Sequence, residues 1–128
     1  MSNGNQTRNL DILCAETGHA LVGIEKMEER ILNAALAVLE EQGPYAMFLY
    51  LKARHKEIFG EIEGAIRNLL NSVFPEKEDS PSDVLTMVKK LAQNLDDLLF
   101  ARDLMRNTLA YARYHYKAEA KKSKEGAS

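Results

Sequence analysis

Glu16 and His19 stand three residues apart in AETGH. That is the spacing with which a carboxylate and an imidazole hold one iron of a di-iron helix-bundle site. Such a site needs a second pair and two further carboxylates, and no second Glu-x-x-His occurs in the chain. Cys14 and His19 have the types of a nucleophile and a base, but five residues apart on a helix they fall on different sides. Cys14 therefore reads as a small core residue. His115, set among Tyr111, Tyr114 and Tyr116, has the type of a general acid or base. Glu119 is its one near carboxylate, and four residues on along a helix it would simply pair with the ring. No Gly-rich phosphate loop, zinc spacing or nucleophile elbow is present. The expectation is a protein that is not an enzyme and has no cofactor, no metal and no small-molecule substrate.

The remaining chemistry is charge. In and around LAYARYHYKAEAKK, residues 109–122, Arg102, Arg106, Arg113, Lys117, Lys121 and Lys124 follow one another at intervals of 4, 7, 4, 4 and 3. On a helix these six share one side. Residues 102–124 carry a net +5 in a chain of net −2. An ordinary solvated face mixes both signs, whereas here the negative charge lies earlier, at Glu25, Glu28, Glu29, Glu40 and Glu41. A solvated flank and a polyanion-binding face both fit such a stripe. Lys52, Arg54 and Lys56, in KARHK, form a second basic run. It reads either as a helix end, where cations are favoured by about 0.3–1 kcal/mol each, or as a second patch. The tyrosines read first as packing residues with their hydroxyls at an edge. An exposed one can stack a nucleic-acid base, worth about 1–3 kcal/mol.

These side chains must be positioned by helices. Leu10, Leu13, Cys14, Thr17 and Leu21 fall on one face of a segment over about 8–22, which Gly18 and Gly23 weaken. Ile24, Met27, Ile31, Ala34, Ala35, Val38 and Leu39 recur at helical steps over about 24–42. Residues 1–26 read either as part of the fold or as a weakly attached extension. Gly43 suits the position after a helix end and Pro44 the first turn of the next helix, over about 44–57. A further helix over about 57–74 puts Ile58, Ile62, Ile66, Leu69 and Val73 on one face. Gly60 and Gly64 stand beside that face, as a seam for a close neighbour or a weak helix start. Ser80-Pro81-Ser82-Asp83 predicts a capped start with Ser80 as the cap. Asn94, with Asp97 three residues on, predicts a break near 93–95 and a last helix over about 95–123, with one continuous helix over 81–123 as the alternative. On that helix Leu98, Met105, Leu109, Ala112 and Tyr116 form one stripe. Phe100, Leu104, Asn107, Tyr111 and Tyr114 form another, nearly opposite. Two apolar stripes require two packing bodies: the core, and either another helix of the chain or another subunit. Phe100, Leu104, Tyr111 and Tyr114 are the candidate interface residues.

The 128 residues suit one domain, and seven glycines with three prolines are few for an all-β chain. The expected fold is all-α, a compact bundle of about five helices with a long C-terminal helix. Residues 1–9 are expected to be a flexible tail, 10–124 a single helical domain, and 125–128 a disordered tail. A single cysteine cannot form an internal disulfide, and the start MSNGNQTRN lacks the apolar run of a secretory signal. No stretch has the roughly 20 apolar residues of a membrane span. The expected location is cytoplasmic.

One family has a similar pattern. The chain resembles the small all-helical subunit of type III-B (Cmr) CRISPR effector complexes. Gly43, Phe48, Leu49 and Lys52 resemble its glycine followed by an apolar helix reading Phe-Leu and then lysine. Tyr111, Arg113, Lys117 and Ala118 resemble its long last helix, an aromatic followed by basic residues and alanine. The likeness spans about 30–124. Pro44 departs from the family's apolar residue after the glycine, the step from glycine to Phe-Leu is one residue short, and Tyr111 replaces a tryptophan. The resemblance implies a non-catalytic structural subunit in antiviral defence. Such subunits stack side by side and line the guide-RNA and target-RNA backbone, so the partners would be those RNAs, further copies of the chain and other effector subunits. Arg102, Arg106, Arg113, Lys117 and Lys121 are the expected backbone contacts, with Lys52, Arg54 and Lys56 as the second patch. A helical protein–protein adaptor or homo-oligomeric bundle without nucleic acid is the alternative.

Overall fold

In a computed structural model the backbone is described over residues 3–74 and 83–127, with side chains over 9–74 and 83–119. The described residues form six helices and no strand: α1 (Asn3–Val22), α2 (Glu29–Gln42), α3 (Pro44–Arg54), α4 (Lys56–Val73), α5 (Val84–Leu91) and α6 (Leu95–Ala127). The fold is all-α with a long C-terminal helix. No helix of the described residues is long and apolar enough to cross a membrane.

The helix boundaries follow local chemistry where the chemistry is strong. Gly43 takes φ +99° and ψ 177°, a region open essentially to glycine alone. Its N–H donates to the Leu39 and Val38 carbonyls, closing α2, and Pro44 begins α3 at once. The α5–α6 break is where Asn94 predicts it: Asn94 Oδ1 accepts the Asp97 N–H at 3.1 Å. Ser80, Pro81 and Ser82 lie outside the described residues. Asp83 caps α5, its carboxylate accepting the Leu85 N–H at 2.9 Å.

Other boundaries differ from expectation. α3 ends at Arg54 and α4 begins at Lys56, so KARHK spans a corner rather than one helix end. The corner turns on His55, whose N–H donates to the Leu51 carbonyl at 2.8 Å. α1 begins at Asn3, so the backbone of residues 3–9 is helical. No proline interrupts them, and helix propagates readily from an anchored segment. α6 likewise continues through residues 125–127.

α6 is the centre of the bundle. Ala101, Leu104, Met105, Thr108, Leu109 and Ala112 are buried along it. α1 covers one side in the most extensive helix pairing of the fold, α2 covers another, and α5 contacts its start. Residues 10–24 are therefore integral, with Cys14, Leu21 and Ile24 in the core. The seam between α1 and α6 depends on Gly18. A Cβ there would stand 2.7 Å from the Thr108 carbonyl oxygen and 2.8 Å from the Ala112 nitrogen, both backbone atoms. Gly60 and Gly64 are no such seam, since a Cβ at either meets nothing within 4 Å. Phe48, Met47 and Leu51 on α3 and Ile62, Ile66 and Leu70 on α4 complete the core.

Candidate nucleic-acid interface

The second apolar stripe of α6 is filled mostly by α1. Leu104 is buried and accepts the Cys14 thiol on its carbonyl at 3.6 Å. Tyr111 is half-buried, and its hydroxyl donates to Asp11 Oδ1 at 2.7 Å. These two of the four candidate interface residues are therefore used inside the chain. Phe100 packs edge-on against Phe74, with centroids 5.8 Å apart, and stays 39% exposed. Tyr114 is 72% exposed and open to a partner.

The cationic side of α6 lies beside α2. Arg106 bonds to Glu40 on α2 and to Asp103 one turn earlier on its own helix. The bond it donates to Glu40 raises the guanidinium's already high pKa. Lys117 Nζ stands 3.6 Å from Glu29 Oε2. Arg102 and Arg113 are half-buried and have no ion-pair partner among the described residues, with each Nε enclosed and unbonded. Arg113, Lys117, Tyr114 and Ala110 line a shallow niche of about 90 Å³. Lys121 lies on the α6 backbone, but its side chain is outside the described residues. Among the described side chains of the stripe, Arg106 and Lys117 face carboxylates, while Arg102 and Arg113 do not.

Lys52, Arg54 and Lys56 are exposed and without ion pairs among the described residues. Arg54, His55 and Lys56 line an open groove of about 670 Å³ at the α3–α4 corner. Lys26, from the α1–α2 connection, and Arg30 on α2 also line it. Neither stands out in the sequence, because they lie among Glu25, Glu28 and Glu29, where the local charge is negative. Lys26 pairs with Glu57 at 3.1 Å, and Arg30 with Glu28 at 2.7 Å. That hydrogen bond holds the Glu28 carboxyl below its ordinary range.

An apolar groove lies elsewhere. Pro44, Tyr45, Val88, Ala92, Leu98 and Leu99 line about 600 Å³, with Lys89 and Arg102 at its edge. Leu99 in its lining is 39% exposed, and Leu95, one turn earlier on α6, is 65% exposed. The lining comes from four helices, Gln42 of α2 included, so no single helical period announces it.

The remaining chemistry sits where α1 meets α6. His19 Nε2 lies 3.0 Å from Glu119 Oε1, and the His19 and His115 rings are 4.8 Å apart. Glu119 therefore pairs across the bundle with His19, not with His115 along its own helix. Among the described residues no group of three His, Cys, Asp or Glu could hold a metal ion. No family model matches the chain, and no curated protein or solved structure matches it.

Proposed function

We propose that this chain is a non-catalytic helical scaffold subunit that binds RNA by its phosphate backbone, independently of sequence, and associates side by side with further subunits. The observation that carries the reading is the open side of α6. There Arg113 is unpaired, Lys117 is exposed beside it, and the Tyr114 ring stands free in the same niche. Cations supply backbone affinity, and an exposed ring supplies stacking that any base satisfies. The unpaired cations at the α3–α4 corner add to it. The resemblance to small Cmr subunits gives the assembly its class, a type III-B CRISPR effector complex in cytoplasmic antiviral defence. The apolar groove with Leu95 and Leu99 suits contact with a neighbouring subunit.

That same groove supports a second reading, a protein–protein adaptor without nucleic acid. Fluorescence anisotropy of labelled RNA with two unrelated sequences, combined with light scattering, separates the two. The RNA reading expects both RNAs to bind equally and to release as salt rises. The adaptor reading expects self-association or partner binding with no RNA titration even at low salt.

A further inference from the structure

We infer that the α6 face and the α3–α4 corner are one anion-binding track, joined across the first turn of α2, along which a single RNA strand lies by its phosphates. This inference rests on the RNA reading above and names the extent of that site.

Continuity comes from α2. Lys117 of α6 stands 3.6 Å from Glu29, the first residue of α2. The next residue, Arg30, points into the corner groove with Lys26, Arg54, His55 and Lys56. The two basic groups, far apart in sequence, thus flank one helix turn, which carries Glu28 and Glu29 as well as Arg30.

The corner also holds one cation, Lys56, in an unfavourable place, while Arg54 beside it sits at the C-terminal end of α3. Lys56 opens α4, where the helix dipole disfavours a positive charge. Arg54 and Lys56 have no ion-pair partner among the described residues. Lys26 has φ +74°, the one non-glycine residue with positive φ among those described. Side chains rarely adopt that backbone, and sparsely populated conformations cluster at binding sites. A bound anion would offset the repulsion among these groups.

The carboxylates present act as placeholders. Glu28 and Glu57 occupy Arg30 and Lys26 at the corner, as Glu29 occupies Lys117 on α6. All three pairs are exposed, and exposed pairs exchange at little cost. A phosphate strand replaces carboxylates that are each held by one flexible cation.

The test compares salt dependence for two labelled single-stranded RNAs, one of about 4 nucleotides and one of about 16, which bracket usual single-domain site sizes. The track predicts a steeper slope of log affinity against log salt for the long strand. Arg54→Gln with Lys56→Gln should flatten the long-strand slope by about 1.4, at roughly 0.7 per lost cation. Arg30→Gln, at the junction, should weaken the long strand and spare the short one. If the corner variants leave the long-strand slope unchanged while Arg113→Gln flattens it, the track is refuted and the RNA reading stands. If neither RNA binds in a salt-dependent way, the RNA reading fails and takes the track with it. Circular dichroism checks that each variant, all at exposed or half-exposed positions, keeps its helix content.

Discussion

Lys117 on α6 faces Glu29 at the start of α2, and Arg106 on α6 bonds to Glu40 near the end of α2. Within each helix the two partners are eleven residues apart. Eleven residues are close to three whole turns, about 16.5 Å along each axis. Two antiparallel helices with that spacing bring both pairs into register. The charge segregation seen along the sequence is therefore partly an internal match between α2 and α6.

Removing the match should free the stripe. Glu29→Gln with Glu40→Gln is expected to raise RNA affinity several-fold at about 50 mM salt and to steepen the salt slope by up to about 1.4, at roughly 0.7 per freed cation. Stability should fall by no more than about 1 kcal/mol per pair, because these pairs are exposed. Anisotropy titration and urea unfolding check the two parts.

The seam at Gly18 makes a stability prediction. Gly18→Ala places a methyl group against the Thr108 carbonyl and the Ala112 nitrogen, which cannot rotate away as a side chain would. α1 must then move off α6, at a cost of about 1–3 kcal/mol. Thermal unfolding should drop by roughly 4–15 °C, whereas Gly60→Ala, with open space around it, should be neutral or slightly stabilising.

Cys14 and Tyr111 predict weaker folding in alkali. Burial pushes the Cys14 thiol above its ordinary value, and the hydrogen bond to Asp11 does the same for the Tyr111 hydroxyl. In both cases the folded protein holds its proton more tightly than the unfolded chain does. Their contribution is complete below the ordinary thiol and phenol ranges and is lost as pH rises through the raised folded values. Urea unfolding from pH 7.5 to 11 should show this decline, and Tyr111→Phe should flatten its upper part. The Cys14 thiol should react with a disulfide reagent only after unfolding.

The apolar groove predicts association. Leu95→Glu with Leu99→Glu places charge on two exposed residues of α6, of which Leu99 lines the groove with Tyr45 and Leu98. Concentration-dependent association in light scattering should be lost, while RNA binding by the single chain persists.

The parts of the fold legible in the sequence are those set by local chemistry. Gly43-Pro44 and Asn94 mark their boundaries because each meets a backbone need of its own neighbourhood. His55 gives no such sign, since its turn is fixed by how α3 and α4 pack. Gly18 was legible only as a weak helix residue, because close approach is a property of two helices and not of one. The α6 stripe was legible as a line of cations. Its partial pairing was not, since that depends on the register of α2. Lys26 and Arg30 stayed hidden because neighbouring glutamates balance them in any local count.

The central claim is that the open face of α6 binds RNA backbone. The direct measurement is the salt dependence of labelled-RNA binding, from about 50 to 200 mM, for the native chain and for Arg113→Gln with Lys117→Gln. The account predicts that log affinity falls linearly with log salt and that the double variant flattens the slope by about 1.4. An unchanged affinity and an unchanged slope in that variant would contradict it.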